Sequence, residues 1–342
     1  MPNDVFTPKE RLLRALDGKE NDRQPVICPG GMMNAAIVDV MTKNNNVLPE
    51  AHHTAEKMSA LAFDVHQFTG FENFGIPFCM TVEAEVLGSE INFGTLQCEP
   101  KIQKERYPSV AEVQFLPLGS MTKNSRVEAI VETILELHKK NPDIPAIGSL
   151  TGPISTAASI VDPMRFLKDL RKDRDNSHRV LTYVTEHLLE YAQAMIECGA
   201  TAISIADPTA TGEILGPKMF EEYAVRYLNM LVDGIHKMGV PAIIHICGKM
   251  EAVKESCAQL HGNALSVDAF VSLKDIKQRY HHINTMGNLS TILLQNGQQD
   301  AVANAAGRLV RDKINIIAPA CGLSTSTPLD NIVAFTTAIK NG

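Results

Sequence analysis

Short apolar runs recur along this chain, each bounded by turn residues and followed by a longer stretch with helical spacing. Eight such runs stand at 25–28 (Pro-Val-Ile-Cys), 63–67 (Phe-Asp-Val-His-Gln), 145–150 (Pro-Ala-Ile-Gly-Ser-Leu), 200–207 (Ala-Thr-Ala-Ile-Ser-Ile-Ala-Asp), 241–247, 264–268 (Ala-Leu-Ser-Val-Asp), 282–287 (His-Ile-Asn-Thr-Met-Gly) and 314–320. Short apolar runs between breakers predict buried strands. The stretches 126–140, 176–198, 217–238 and 297–312 predict helices between them. Strands alternating with helices imply a parallel sheet, and eight such units close into a (β/α)8 TIM barrel.

The chain opens with a helix of its own, an N-terminal extension to the barrel. Thr7 is the N-cap, Pro8 sits in the first turn and Glu10 completes a capping box, with Leu12, Leu13 and Leu16 at helical spacing up to Gly18. Between the second and third runs, Thr81–Val86 and further short runs to Phe115 are broken at Gly88, Gly94 and Pro100. They predict a β-rich insertion, at about 80–120, that covers one end of the barrel. The alternative fold is an open doubly wound sheet. Against it, Pro29-Gly30-Gly31 after the first run lacks the glycine spacing of a dinucleotide-binding turn. No linker divides the 342 residues, which are expected to form one domain.

Composition narrows the function classes. A net charge of −7 without a basic stripe argues against a nucleic-acid binder. No stretch approaches the ~18 apolar residues of a membrane span, and the N-terminus has no apolar signal region. Seven cysteines without framework spacing fit a reducing cytoplasm, where thiols stay available.

The most pointed chemistry lies at two run ends. His245 and Cys247 are two residues apart in Pro-Ala-Ile-Ile-His-Ile-Cys-Gly, so in a strand both side chains face one way. Cys321 ends the matching run Ile-Asn-Ile-Ile-Ala-Pro-Ala-Cys-Gly. One imidazole and two thiolates form a three-ligand zinc set, and three protein ligands with an open position is the pattern of catalytic Zn2+. Any one buried cysteine is ordinarily packing, so the weight rests on the combination. Barrel enzymes place their sites at the C-terminal ends of strands, where Cys28, Asp207, Asp268 and Asn288 also fall. Asp207 and Asp268 are candidate catalytic groups, and each could instead cap the helix that follows it. Asn288 after Gly287 reads as a turn residue.

Particular segments resemble a known family. Arg11 through Ala15-Leu16 to Asp22-Arg23-Gln24-Pro25-Val26, the run Gly148–Pro153 and Met286-Gly287-Asn288 look like the uroporphyrinogen decarboxylase superfamily, a (β/α)8 barrel. More specific are Ala206-Asp207-Pro208-Thr209-Ala210-Thr211-Gly212, His245-Ile246-Cys247-Gly248-Lys249, and Ala318-Pro319-Ala320-Cys321-Gly322-Leu323-Ser324 with Thr327-Pro328-Leu329. These are similar to its zinc-dependent methylcobamide:coenzyme M methyltransferase branch, whose zinc ligands His245, Cys247 and Cys321 match one by one. The decarboxylase itself is known for an arginine-rich segment after the first strand; here no arginine occurs between Arg23 and Arg106.

The resemblance implies methyl transfer between a corrinoid (a methylcobamide) and a small thiol such as coenzyme M. Zinc would convert the thiol to a thiolate. It also implies a protein partner, the corrinoid carrier, approaching a mouth that Cys28, Met32-Met33 and Asn288 would line. Asp207, ahead of Asp268, is expected to orient His245 through its second ring nitrogen. Lys249 or Lys274 could meet an anionic group on the thiol. An alternative reaction on the same fold is demethylation of a methoxy or methylamine compound, or transfer to tetrahydrofolate; a non-catalytic zinc- or thiol-binding protein is the alternative of a different class.

Overall fold

The computed structural model describes residues 4–342, so Met1–Asn3 of the N-terminal stretch lie outside the described residues. Its strands in chain order are β1 (Phe74–Ile76), β2 (Glu90–Asn92), β3 (Lys101–Lys104), β4 (Ala146–Thr151), β5 (Ala202–Ala206), β6 (Ala242–Ile246), β7 (Ala264–Val267) and β8 (Asn284–Met286). Six of them form a parallel sheet in the order β1-β4-β5-β6-β7-β8, while β2 and β3 pair antiparallel elsewhere. Every residue of β4, β5, β6 and β7 is buried, as expected of parallel strands covered by helices.

Two extended segments close the ring. Ile316 bridges in parallel to Met286, Pro319 to Leu289, and Ile317 to Val26. On the other side of the first segment, the Val26 carbonyl accepts the Glu72 N–H at 2.9 Å. The Asn73 amide then takes the place of a strand ladder: it accepts from the Cys28 N–H and donates to the Cys28 carbonyl, both at 2.9 Å. Beside this seam the backbones of Gly30 and Gly75 nearly touch. A Cβ on Gly75 would lie 2.5 Å from the Gly30 nitrogen, so only glycine fits there. Segment 25–28, β1, β4 to β8 and segment 314–320 are thus the staves of the (β/α)8 barrel.

The N-terminal helix Pro8–Leu16 carries the expected capping box and braces the seam from below. Arg11 is fully buried and pairs with Asp22 at 2.8 Å and Glu72 at 2.9 Å. Glu72 also takes Arg23 and accepts the Val26 N–H at 3.0 Å. A buried charge is tolerable only when paired in this way.

Three sequence expectations are corrected. Residues 63–67 are not a strand but the second half of helix Ala55–Thr69. Their local alternation is overridden by Met58, Leu61, Ala62 and Val65 at helical spacing, by the Thr54 cap and by Gly70 in the left-handed conformation at the end. The second stave is β1, three residues with a glycine at the centre, too short to stand out. Thr81–Val86 is likewise mostly helical, Val82–Val86, so the segment before β4 holds a single antiparallel pair, β2 with β3. The predicted helix 217–238 begins earlier and is interrupted at Gly216 (φ 67) before Pro217, followed by a π-helical stretch Phe220–Val225. No helix among the described residues is long and apolar enough to cross a membrane.

Candidate metal centre

His245 is the penultimate residue of β6 and is completely buried. Cys247 follows at same-face spacing just beyond the strand, where Gly248 (φ 72) turns the chain away. Cys321 arrives from the segment 314–320, two staves beyond β7 in the ring. The His245 nitrogen and the two sulfurs lie within 4.8 Å of one another. His245 Nε2 is 3.1 Å from Cys247 Sγ, which is 3.5 Å from Cys321 Sγ. Donors around a tetrahedral zinc, at ~2.1 Å (N) and ~2.3 Å (S), stand about 3.6–3.8 Å apart. These two separations would need to open by about half an ångström or less to reach that spacing.

The two thiols do not share charge equally. The contact with Cys247, with help from His245, pulls the Cys321 thiol down from its usual range. The same pairing pushes Cys247 up, because a second anion against the first is opposed by both repulsion and burial. A cation in place of the shared proton would relieve that conflict. His245 closes the set from beneath, whereas both cysteines are only half-buried and face the mouth.

The partner of the histidine is not the one expected. His245 Nδ1 lies 2.9 Å from Ser266 Oγ on β7. Asp207 is instead a helix cap supplied from a neighbouring stave. Its carboxylate accepts from the Ile154 N–H at 3.0 Å, the Ser155 N–H at 2.8 Å and the Ser155 hydroxyl at 2.6 Å. These are the first turn of helix Pro153–Ile160, whose own N-cap, Gly152, has no side chain to offer. Glycine is required at 152, since a Cβ there would sit 2.5 Å from the Asp207 carboxylate. Burial raises the Asp207 carboxyl to about 6 despite these hydrogen bonds. Its link to His245 is through the backbone, the Asp207 N–H donating to the His245 carbonyl at 3.1 Å.

Neither aspartate caps the helix after it: Thr211 caps Gly212–Met219 and Ser272 caps Leu273–Arg279. Asp268 is half-buried beside the cysteines, with Oδ2 3.4 Å from the Gly248 N–H. Asn288 donates to the Asp268 carbonyl at 2.9 Å and the Val271 carbonyl at 2.8 Å, holding that loop. Cys28 is turned inward, with its thiol donating to the Met33 carbonyl at 2.8 Å and burial pushing it up. Met32 does reach the site, its sulfur 3.7 Å from Cys247 Sγ. Lys274 is taken by Asp312 at 2.9 Å and Lys249 lies 3.8 Å from Glu213.

A cavity of about 490 Å³ opens beside Cys321, with Met32, Cys79, Met80, Glu99 and Leu323 in its wall. Behind Cys79 stands buried Arg126, donating to the Cys79 sulfur at 2.9 Å and paired with Glu85. Fully buried Glu83 accepts from Thr151 N–H at 2.7 Å and Thr151 Oγ1 at 3.1 Å, and burial raises its carboxyl to about 7. The sequence patterns single out none of Ser266, Glu83 and Arg126. Ser266 does leave a signal: it shares strand parity with Asp268, which places it on the face lining the barrel.

With this geometry in view, sequence and structure comparisons give a consistent answer. The family described as uroporphyrinogen decarboxylase (URO-D) matches residues 7–342. The chain belongs to the uroporphyrinogen decarboxylase family. Within it, the chain is 32% identical over 337 residues to the methylcobamide:CoM methyltransferase MtaA of Methanosarcina barkeri, covering 97% of each. It is 33% identical to the methylcobamide:CoM methyltransferase MtbA of Methanosarcina acetivorans, covering 98% of each. A solved methyltransferase from Methanosarcina mazei superimposes with a TM-score of 0.92 at 31% identity, over 98% of this chain and 99% of that one.

Proposed function

We propose that this chain is a zinc-dependent methyltransferase that moves a methyl group from a methylated corrinoid to a small thiol such as coenzyme M. The observation that carries the proposal is the convergence of one imidazole nitrogen and two sulfurs at the barrel mouth, open toward a cavity. The near full-length likeness to methylcobamide:CoM methyltransferases supports the same reading.

His245, Cys247 and Cys321 would hold the zinc, which when bound supplies the positive charge that lowers the acceptor thiol's pKa. Ser266 keeps Nδ1 of His245 engaged, so that Nε2 offers its lone pair. Two anionic sulfurs in the ligand set leave more electron density on the acceptor sulfur than neutral ligands would. Buried Asp207 fixes the loop 152–155 and the carbonyl of His245, acting as a positioning residue. Asp268 is a further carboxylate beside the cysteines, with Oδ2 against the Gly248 N–H. The acceptor sulfur attacks the methyl carbon; the S–C bond forms as Co–C breaks, and the electron pair leaves with cobalt as cob(I)amide. The methyl donor reaches the mouth on a corrinoid carrier protein, and the free cysteines suit a cytoplasmic setting.

The test is an assay of zinc-loaded protein with methylcob(III)alamin and a panel of thiols. Thiol-dependent loss of methylcobalamin with appearance of cob(I)alamin supports the proposal. No reaction with any thiol, together with methylation of cob(I)alamin from a methoxy or methylamine donor, would replace it.

A further inference from the structure

The cavity beside Cys321 is larger than a two-carbon thiol needs. At about 490 Å³ it falls in the range that encloses a drug-sized ligand. Its apolar wall includes Met32, Met80, Ile292 and Leu323, and its polar groups include Glu99 and Gln295. No lysine or arginine lines it, so nothing in it is built to hold a phosphate or another anionic tail.

Glu99 is the one charged residue of this wall, and its neighbours hold it in place. Buried Asn34 donates its Nδ2 to Glu99 Oε1 at 3.0 Å, while its own Oδ1 accepts the Ala36 N–H at 3.1 Å, which fixes the amide's orientation. Glu99 Oε2 receives no hydrogen bond among the described residues. Two residues earlier, the Gln97 carbonyl accepts from Thr325 Oγ1 at 2.9 Å, tying this loop to the one that follows Cys321. Gln295 uses its Nε2 on Ser326 Oγ at 3.1 Å, which leaves its carbonyl oxygen as a further acceptor. The cavity therefore pairs apolar surface with hydrogen-bond acceptors and carries no cationic donor.

That combination matches a flat apolar macrocycle fringed with primary amides. We infer that this cavity seats one amide-bearing edge of the corrin ring, with Glu99 accepting an amide N–H and Gln295 offering a second acceptor. The inference rests on the methyl transfer proposed above and extends it by naming where the methyl donor is held. Cys321 belongs both to the ligand set and to the cavity wall, so a ring edge seated here adjoins the ligand set. It also gives the segment between β1 and β4 a role, since that segment supplies Glu99.

Equilibrium dialysis of zinc-free protein against methylcobalamin tests the assignment. Glu99→Ala should raise the dissociation constant roughly tenfold, as expected for one charge-assisted hydrogen bond. In the zinc-loaded enzyme it should raise the KM for methylcobalamin and leave that for the thiol unchanged. The methylcobalt heptamethyl ester of cobyrinic acid, whose arms lack N–H groups, should bind wild type and Glu99→Ala alike. An unchanged dissociation constant for methylcobalamin, or an equal loss with the ester, overturns the inference. Wild-type protein that binds methylcobalamin in a Glu99-dependent way but methylates no thiol would refute the reaction and support the cavity assignment. Rapid methyl transfer with the same dissociation constant in both proteins would do the reverse.

Discussion

His245 and Ser266 are register partners on the adjacent parallel strands β6 and β7, and the imidazole Nδ1 lies 2.9 Å from the serine Oγ. This contact decides which nitrogen faces the sulfurs, because an Nδ1–H donated to the hydroxyl leaves the Nε2 lone pair free. Ser266→Ala should keep the barrel folded yet weaken zinc binding roughly 10–100-fold, the usual effect of losing a ligand's outer partner. Competition against a chelator measures it. Wild-type affinity in the variant would show that the hydroxyl does not orient the ring.

Cys247→Ala and Cys321→Ala should each lose the metal outright. Three protein ligands are the minimum of a catalytic zinc site, and two of them leave the ion to water. Metal analysis after dialysis should find about one zinc per wild-type chain and almost none in either variant. Full retention in both would mean that the metal sits elsewhere.

Asp207→Asn should be a stability variant. The substitution turns an acceptor of three hydrogen bonds into a group that points an NH2 at N–H donors. The loss should be about 2–3 kcal/mol in urea unfolding, with zinc affinity of the folded protein within a few-fold of wild type. A fully stable Asp207→Asn protein that no longer binds zinc would contradict the cap described here.

Glu83 should leave a mark on the pH dependence of stability. Its carboxyl is raised from 4.5 to about 7 in the folded chain, chiefly by burial. Between those values the folded chain holds a proton that the unfolded chain releases, so this group's contribution is full below 4.5 and is lost as pH rises toward about 7. The slope is at most about 1.4 kcal/mol per pH unit. Glu83→Gln should flatten it, which urea titrations across that window would detect. An identical slope in the variant would mean that Glu83 is not the group responsible.

The barrel is legible because seven of its eight staves carry unmistakable apolar runs, and the candidate metal set because strand parity puts His245 and Cys247 on one face. What stays hidden depends on contacts between distant segments. The stave β1 is three residues long and is held at the seam by Asn73, whose amide substitutes for strand pairing. The reading of 63–67 as a strand fails because a short alternation says little inside a longer helical pattern. Asp207 stands out at a strand end, but its capping role does not. Its partners, at 154 and 155, are some fifty residues away in sequence and come together only when β4 and β5 lie side by side. Glu99 lies in a segment whose strands are too short and exposed to mark it as part of a site.

X-ray absorption at the zinc edge tests the central claim most directly, because it counts the atoms around the ion before and after the acceptor binds. Zinc-loaded protein should show two sulfurs at about 2.3 Å and one imidazole nitrogen at about 2.0–2.1 Å, with a light atom completing the shell. Adding the thiol should replace that light atom with a third sulfur at about the same distance. A sulfur count that stays at two under saturating thiol would contradict the account.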